Sequence, residues 1–492
     1  MFRSAILRFS DAEKSTVLEH AELIRTKSSA WWGWWKKRTE AFPVEALQYL
    51  KSEALHHALA VGLVKRKEEE GLYLASCTDV AFEHTGAPIG SPDPELTPEY
   101  YRGAKFPAWF KFTNIGAIDR SMFLSQFGCV PRLDPTFYDV SRGNDGKFTI
   151  NPAPTWSMQI VNAPGDAILH LSDLHFGDDY GPQSPPATDY QRLVEKISSR
   201  ILRELRVRVG VLIVSGDLIT RGQYSAFPRV RTFLESLLRS LGLGVEHCVV
   251  VPGNHDLWTE GIDHPSRDYS HEGPYREFLD TVFRAHLQDL ERVRRYETPG
   301  GFELIFVELN SARLRSDDLR EYGYVSKHRY SGLLRFTSDV LKQETSSPTA
   351  RLKFVVLHHH VMPVAATVPA QKKGVGVCLD AGELISEFQA QGFQFALHGH
   401  GHVPFVGTVG TVARVMDHSI EDGAYKFAGI HTPMFVLGCG SSGAHRNHLP
   451  PQFARNVFGL YQPGSSGLQV TFEQYDELGP CEPLWSMTLP TR

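Results

Sequence analysis

The second two-thirds of the chain alternates short apolar runs with amphipathic segments. Apolar runs at Ala167–Leu171, Val209–Val214 and residues 248–251 predict strands. The second of these runs is apolar almost throughout, as is typical of a strand covered on both faces. Between them, residues 189–206 and 230–241 place apolar side chains three or four positions apart, which predicts amphipathic helices. This alternation predicts βαβ units and therefore an α/β fold with parallel strands.

More apolar runs continue the series toward the C-terminus. They lie at residues 302–309, 352–357 and 393–397, and two later ones at 434–437 and 468–472 are separated by turns rich in Gly and Ser. Strands covered by helices, followed by additional strands, predict two sheets that pack face to face with helices outside.

The first third of the chain has a different pattern. Residues 131–166 are rich in Pro, Gly, Asn and Asp, which is typical of loops between two units. We therefore predict a smaller α+β accessory domain over residues 1–150, a linker over 151–166 and a second domain over 167–492. Within the first domain, the pattern predicts a helix over residues 43–64 and several strands.

Four of the 8 tryptophans fall within residues 31–35, directly before Lys36, Lys37 and Arg38. One interpretation is a stacking platform, since aromatic rings beside cations hold nucleobases and phosphates, which would give this domain a ligand-recognition role. The other interpretation is packing of large rings in a core. Clustered aromatic residues usually fill a core, so the packing interpretation is favoured.

Composition narrows the class of protein. A chain of 492 residues is too long for one core, which agrees with two domains. The formal net charge of −5, from 51 Lys+Arg against 56 Asp+Glu, does not favour bulk binding of nucleic acid. The 6 cysteines include no CxxC pair and predict reduced thiols. With no secretory or membrane-length apolar segment in the sequence, we predict a cytoplasmic protein with no membrane partner.

Five clusters of potential metal ligands are distributed along the second domain, and each directly follows an apolar run. Because the C-terminal ends of parallel strands meet at one edge of a sheet, we expect the clusters to converge there. Carboxylates, an amide oxygen and imidazoles together suit a pair of divalent cations. The clusters are Asp173-Leu-His175, Gly216-Asp217, Gly253-Asn254-His255-Asp256, His358-His359-His360 and Gly399-His400-Gly401-His402.

The first two clusters predict a metal ligand pair and a bridging carboxylate. Side chains two residues apart on a strand point to the same side, so Asp173 and His175 can bind one cation together. Gly216 permits a tight turn after its strand. That turn would leave the carboxylate of Asp217 in position to bridge two cations.

The third cluster combines a ligand with groups suited to acid–base chemistry. Asn254 offers a neutral oxygen ligand, and the side chain of His255, the next residue, points elsewhere and is free to act on a substrate. Asp256 can hydrogen-bond that imidazole and fix its tautomer. We therefore predict His255 and Asp256 as catalytic residues.

The last two clusters supply imidazoles. His358 directly follows its strand and is the favoured ligand, while His359 and His360 remain competitors for that role. His400 and His402, separated by a glycine, can each bind one cation.

Taken in order, these motifs resemble the signature of the calcineurin-like metallophosphoesterase superfamily, which is D-x-H, G-D, G-N-H-[DE], H and G-H-x-H. The stretches that fit are SDLHFG, SGDLITRG, VPGNHD, LHHH and GHGH, and the resemblance runs from residue 167 to the C-terminus. The flanking residues most resemble the cyclic-nucleotide phosphodiesterase branch. The resemblance implies a two-sheet metallophosphoesterase sandwich flanked by helices and the hydrolysis of phosphoesters.

The resemblance also implies a role for each ligand. By this resemblance, His255 would act as an acid, or would stabilise charge, at the leaving oxygen. It implies two divalent cations, with manganese and iron the leading candidates, whereas the mixed nitrogen and oxygen ligands also permit zinc, cobalt or nickel. The ligand sets are Asp173, His175 and His402 for one cation, Asn254, His358 and His400 for the other, and Asp217 as the bridge.

The predicted function is a phosphodiesterase acting on small phosphoesters, most of all nucleotides and cyclic nucleotides. A DNA or RNA nuclease is an alternative that requires a basic groove, but the Arg-rich stretches at residues 203–208 and 292–295 look like helix faces. A phosphoprotein or small-molecule phosphatase would share the chemistry. A non-catalytic nucleotide-binding protein is a further alternative, against which the intact ligand set argues.

Overall fold

The chain forms two compact units in a computed structural model. Unit 1 comprises Met1–Ser157 with Ser331–Phe336, and unit 2 comprises Met158–Tyr330 with Thr337–Arg492. The structure describes all residues except 1, 11–14, 38–39, 66–70, 85, 132–134, 144–145, 153–155, 157, 159, 178–188, 258–271, 284–289, 315–318, 320, 343–349, 365–375, 411–432, 451–454, 477–478 and 492.

Unit 1 is built on one seven-stranded sheet with three helices. Its strands are β1 Phe2–Phe9, β2 Ala30–Trp34, β3 Leu59–Lys65, β4 Leu72–Phe82, β5 Ala108–Ala117, β6 Phe137–Arg142 and β7 Phe148–Pro152. Its helices are α1 Thr16–Lys27, α2 Val44–Ala54 and α3 Arg120–Phe127. The strand order is β2-β5-β4-β3-β1-β6-β7, and β1 with β3 is the parallel pair. This is the α+β architecture predicted for the first domain.

The helix predicted over residues 43–64 is wrong in its second half. The helix ends at Ala54, and the segment from Leu59 onward forms β3. Leu59, Val61 and Leu63 are buried at every second position, which is the periodicity of a strand rather than a helix. Two periodicities therefore follow one another, separated by the turn at residues 55–58.

Three of the four tryptophans lie on strand β2, and their rings are core residues. Trp31, Trp32 and Trp34 are 4%, 2% and 1% exposed. The indole N–H of Trp34 donates to the hydroxyl of Thr136 at 3.1 Å, which satisfies its one polar atom. The packing interpretation is confirmed for these rings, and the stacking-platform interpretation is wrong for them. Trp35, 57% exposed, is the ring of the run that faces solvent.

Unit 2 contains two sheets flanked by helices. The strands are β8 Ile160–Asn162, β9 Ala167–Leu171, β10 Val209–Val214, β11 Cys248–Val250, β12 Arg292–Glu297, β13 Phe302–Glu308, β14 Ala350–Val356, β15 Phe395–His398, β16 Phe405–Val409, β17 Met434–Gly438, β18 Asn456–Gly464, β19 Gly467–Tyr475 and β20 Glu482–Leu489. The helices are α4 Asp189–Ser199, α5 Phe227–Leu241, α6 Gly273–Phe283, α7 Lys327–Lys342 and α8 Ala381–Ala390.

The two sheets pack face to face. One has the order β11-β10-β9-β18-β19-β20 and the other the order β16-β17-β15-β14-β13-β12-β8. The strands β9, β10 and β11 are mutually parallel, as are β13, β14, β15 and β17. The predicted two-sheet sandwich flanked by helices is confirmed.

Strand β10 shows why the inner strands are apolar throughout. Val211 and Ile213 enter the core between the sheets, where they join Phe306 and Phe354 of the second sheet. Leu212 faces the opposite core, which α4 and α5 cover. Both faces of the strand are therefore buried, so no position favours a polar side chain.

Two expectations are corrected by the sheets of unit 2. The predicted linker over residues 151–166 contains β8, which pairs with β12, so this part of it belongs to a sheet. The Arg-rich stretch at 292–295 lies on β12 rather than on a helix. There Arg292 and Arg294 form ion pairs with Glu308, at 2.5 and 2.7 Å.

Cysteine placement and helix lengths add two observations. All six cysteines are free thiols, as predicted; five are buried and Cys129 is half-buried. Among the helices that the structure describes, none is both long and apolar enough to cross a membrane.

Candidate metal centre

The first two predicted clusters lie in adjacent turns that are hydrogen-bonded to each other. The backbone N–H of Asp173 donates to the carbonyl of Gly216, and that of His175 donates to the carbonyl of Asp217, both at 3.0 Å. Asp173 and His175 lie beyond the end of β9, with φ angles of 52° and 49°. The strand-alternation argument is therefore wrong in its geometry, since left-handed turns rather than a strand bring the two side chains together.

Left-handed backbone is concentrated at the predicted ligands. In the described part of the chain, nine non-glycine residues have positive φ, and five of them are predicted ligands. This conformation is unfavourable for L-residues and persists where the surrounding structure enforces it, typically at functional sites. The five are Asp173, His175, Asp217, His400 and His402.

Two glycines allow the segments to approach closely. A Cβ on Gly216, whose φ is 95°, would lie 2.6 Å from Nδ1 of His358. A Cβ on Gly399 would lie 1.7 Å from Oγ of Ser172 and 2.4 Å from Oδ2 of Asp173. Any side chain at either position would push the ligand-bearing turns apart.

The first group of converging side chains consists of Asp173, His175 and His402. Their ligand atoms all lie within 4.8 Å of one another. Nε2 of His402 is 3.3 Å from Oδ1 of Asp173, and the Nε2 atoms of the two imidazoles are 3.1 Å apart. The aspartate and His175 are buried, so this group is screened from water.

The second group consists of Asp217, His358 and His400, again within 4.8 Å. Nε2 of His358 is 3.2 Å from Oδ2 of Asp217, 3.2 Å from Nδ1 of His400 and 3.1 Å from the amide oxygen of Asn254. Oδ2 of Asp217 is also 3.8 Å from Nε2 of His175 in the first group. Asp217 thus lies between the two groups, and all seven predicted ligands meet at one place.

Backbone carbonyls orient two of the imidazoles. Nδ1 of His358 donates to the carbonyl of Ser215 at 2.8 Å, and Nδ1 of His402 donates to the carbonyl of His448 at 3.3 Å. Since a carbonyl only accepts, both rings donate from Nδ1 and turn Nε2 toward the carboxylates, where a neutral ring has its lone pair. This is the arrangement that commonly fixes histidine ligands in metal sites.

His255 lies beside Asp217 with its tautomer set by the backbone. Its Nδ1 accepts a hydrogen bond from the N–H of Arg221 at 3.1 Å, so a neutral ring carries its proton on Nε2. Its own backbone N–H donates to Oδ1 of Asp217 at 2.9 Å, and its ring centroid is 4.9 Å from that of His175. The ring is half-buried, unlike most of the ligands.

Asp256 does not contact the His255 ring through the predicted hydrogen bond, so this expectation is wrong. Its two carboxylate oxygens accept from the backbone N–H groups of Ile219, at 3.0 Å, and Gly253, at 2.9 Å. Asp256 therefore fixes the loop that carries Asn254. Burial and the nearby Asp217 raise the pKa of Asp256 to about 8.

Of the three adjacent histidines, His358 lies in the ligand cluster, whereas His359 and His360 contact other side chains. Nδ1 of His359 lies 2.9 Å from Oγ of Ser311, and the ring of His360 packs 4.7 Å from that of His398. Oγ of Ser311 also accepts from the backbone N–H groups of His358 and His359, both at 3.2 Å. Ser311 carries no sequence signal of its own, because a single serine after a strand is common.

The charges of the cluster are strongly coupled. Burial alone would raise the pKa of Asp217, but His358 and His255 hold it well below its ordinary value. Burial lowers the pKa of His358, yet Asp217 outweighs burial and raises it to about 9. Burial and then His358 lower the pKa of His400 to about 3. The carboxylates are thus held anionic and demand positive charge beside them.

These residues fit a pair of divalent cations. Buried carboxylates require a compensating cation, and the inward-facing imidazole nitrogens are suitable ligands. Nδ2 of Asn254 is buried without a hydrogen-bond partner, as expected when the amide is oriented so that its oxygen faces the cluster. Asp217 is positioned to be shared, because its carboxylate belongs to the second group and also forms a third group with His175 and His255, whose ligand atoms lie within 4.8 Å of one another.

Comparison with family models agrees with this geometry. Residues 167–404 match the calcineurin-like phosphoesterase family, and residues 5–140 match the Pua-like family. The chain therefore contains a calcineurin-like phosphoesterase domain, preceded by a Pua-like domain. A comparison with curated proteins found no match.

Solved structures with detectable similarity include a purple acid phosphatase, PhoD and a 5′-nucleotidase. A purple acid phosphatase from yellow lupin seeds aligns with 83% of this chain and 66% of its own, at 12% identity and a TM-score of 0.41. PhoD aligns with 85% of this chain and 90% of its own, at 12% identity and 0.36. The 5′-nucleotidase of Candida albicans aligns with 65% of this chain, at 11% identity and 0.36. This chain spans 53% of that nucleotidase.

Proposed function

We propose that the protein is a metal-dependent phosphodiesterase with a dinuclear site that acts on nucleotides, cyclic nucleotides included. The observation that carries the proposal is the convergence of two buried ligand groups on a shared aspartate. Oδ2 of Asp217 lies 3.2 Å from Nε2 of His358 and 3.8 Å from Nε2 of His175. The calcineurin-like phosphoesterase domain supports the reaction class.

In this proposal, one cation would lie on each side of the cluster. Asp173, His175 and His402 would hold the first, and Asn254, His358 and His400 the second, with Asp217 between them. Cations bound there supply positive charge against the phosphate oxygens and activate water. Manganese and iron are the proposed ions, and the same nitrogen and oxygen ligands accept zinc, cobalt or nickel.

His255 supplies the proton donor of the proposed reaction. Because Nδ1 accepts from the backbone N–H of Arg221, the proton of the neutral ring resides on Nε2. That N–H can donate to the leaving oxygen as its bond to phosphorus breaks. The half-buried ring beside Asp217 leaves this side of the cluster open to a substrate. General acid assistance of this kind contributes roughly 10²–10⁴-fold to a rate.

The arginines of β12 argue against a nuclease that uses this stretch as a basic groove. Arg292 and Arg294 share the carboxylate of Glu308, and Arg295 pairs with Glu303. Guanidinium groups held in buried ion pairs are not available to phosphate backbones. A small substrate, rather than a polynucleotide, agrees better with this arrangement.

A substrate panel tests the proposal. The protein is assayed with added manganese against bis(p-nitrophenyl) phosphate, p-nitrophenyl phosphate, cyclic mononucleotides, cyclic dinucleotides, a phosphopeptide and single-stranded DNA. We expect turnover of the diesters to exceed turnover of the monoesters. Preferential turnover of the phosphopeptide and p-nitrophenyl phosphate would instead identify a phosphatase. No turnover of any ester under metal loading would identify a binding protein.

A further inference from the structure

A loop that follows β17 folds onto the metal centre. In this loop, residues 439–449, the hydroxyl of Ser441 donates to the carbonyl of Asp173 at 2.7 Å. The backbone N–H of Ser442 donates to the carbonyl of Ser172 at 2.8 Å. Both serines are buried, so the loop is built into the turn that carries the first ligand.

Close packing fixes the path of this loop. A Cβ on Gly443 would lie 2.3 Å from the carbonyl oxygen of Leu174, so only glycine permits the approach. The carbonyl of Ser442 accepts from the buried hydroxyl of Tyr475 at 2.5 Å. The residues that follow are consequently held beside the Asp173 turn.

The second half of the loop carries three basic side chains. The carbonyl of His448 accepts the Nδ1 proton of His402 at 3.3 Å, which places this segment directly against a ligand of the first group. His445 and His448 are half-buried, with ring centroids 6.5 Å apart. Arg446 is exposed and forms no ion pair with the carboxylates in the described part of the chain.

An unneutralised arginine beside a metal centre is suited to binding an anion. Its guanidinium is always charged and presents a planar fork of donors that matches a phosphate group. Arg446 is two residues before His448, and two residues of backbone span at most about 7 Å. Arg446 is therefore tethered close to the His448 carbonyl that accepts from His402.

We propose that Arg446, with His445 and His448, binds a second anionic group of the substrate, next to the scissile phosphate on the side of Asp173, His175 and His402. This inference rests on the proposed phosphodiesterase function and narrows its substrate class. The preferred substrates are phosphodiesters that carry an additional phosphate, such as phosphorylated dinucleotides and cyclic dinucleotides. Diesters with a single charge, such as cyclic mononucleotides, lack the group that this loop recognises.

A matched pair of substrates tests the proposal on the full-length, manganese-loaded protein. The dinucleotide UpU and its 5′-phosphorylated form pUpU share one scissile diester and differ by one terminal phosphate. We expect kcat/KM to be at least about 10-fold higher for pUpU, the effect of a charge-assisted contact, mainly through KM. The preference should decrease as salt is raised, because the contact is exposed.

Three variants connect that preference to the loop. Arg446→Gln should bring kcat/KM for pUpU down toward the value for UpU, and Arg446→Lys should restore part of the difference. Arg239→Gln removes the same charge from an exposed position on α5. This variant should leave the ratio of kcat/KM for pUpU to kcat/KM for UpU as in wild type. Equal turnover of the two dinucleotides by wild type, or a preference that survives Arg446→Gln, would overturn the proposal.

The remaining outcomes distinguish failure of this proposal from failure of the proposed phosphodiesterase function. Hydrolysis of bis(p-nitrophenyl) phosphate without hydrolysis of either dinucleotide overturns the substrate class and leaves the phosphodiesterase function standing. Failure to hydrolyse any of the three diesters overturns the phosphodiesterase function, and the role of the loop with it.

Discussion

The candidate metal centre of unit 2 and the tryptophan run of unit 1 both concentrate distinctive side chains. They differ in how those side chains are brought together and in what their buried atoms require. The metal centre gathers residues from five separate segments, and five of its ligands have left-handed backbone. In the tryptophan run, Trp31, Trp32 and Trp34 lie on one strand, β2, and are buried in apolar packing. Convergence of distant segments under strain indicates function, whereas clustering along the sequence alone indicates packing.

The two regions also differ in what their buried atoms require. The rings of β2 are satisfied by apolar neighbours and a hydrogen bond from Trp34 to Thr136. In the metal centre, Asp173 and Asp217 are buried carboxylates that require cations. Removing a side chain should therefore lower the free energy of unfolding in the tryptophan run, and should reduce cation binding or turnover in the metal centre.

The largest expected effect is that of Asp217→Asn. Loss of the shared charge should remove both cations, and turnover of bis(p-nitrophenyl) phosphate should fall by at least about 10³-fold. Elemental analysis beside a kinetic assay measures both quantities, with Asp339→Asn on α7 as the matched control. Two bound cations in the Asp217→Asn protein would show that this aspartate does not bridge.

His255→Ala should reduce turnover by roughly 10²–10⁴-fold because it removes the proton donor at the leaving oxygen. The cation content should remain that of wild type, since this ring is not one of the seven ligands. Steady-state kinetics and elemental analysis on the same preparation test the separation. Wild-type turnover in this variant would eliminate the acid role, and loss of cations would reassign His255 as a ligand.

The sequence anticipates those parts of the molecule in which local pattern and tertiary environment agree. Val209–Val214 is apolar because both of its faces are covered, so its bounds follow directly from the pattern. The order of the ligand clusters likewise reflects the C-terminal ends of parallel strands. The pattern misassigns residues 59–65 because the turn between α2 and β3, residues 55–58, contains no Gly or Pro to mark the end of the helix.

Contacts between distant segments could not be predicted. The left-handed turns at Asp173 and His175 depend on hydrogen bonds to the turn that carries Asp217. The tautomer of His255 depends on a backbone N–H of Arg221 rather than on the adjacent Asp256. Such partners are separated in the chain and leave no local pattern.

Trp34→Ala and Trp35→Ala compare neighbouring rings of the tryptophan run. We expect Trp34→Ala to lower the free energy of unfolding by about 3–5 kcal/mol, because a fully buried ring is lost. Trp35→Ala should change it by no more than about 0.5 kcal/mol, since that ring is 57% exposed. Urea denaturation of the full-length variants measures both. Equal effects would mean that exposure does not distinguish the two rings.

Ser311→Ala should weaken cation binding without abolishing it. The hydroxyl of Ser311 accepts two backbone N–H groups and contacts His359, so its loss should loosen the turn that carries His358. Cation affinity should fall by roughly 10–100-fold, the usual result of removing an outer support. Competition with a fluorescent chelator measures the affinity, and Ser486→Ala on exposed β20 is the control. Unchanged affinity would show that the turn holds without this hydroxyl.

Anomalous X-ray diffraction from crystals grown with manganese tests the central claim most directly. Two anomalous peaks roughly 3.5–4 Å apart are expected, both bonded to Asp217 and each completed by one of the ligand groups. A single peak, or peaks bonded to side chains outside the two groups, would contradict the dinuclear site.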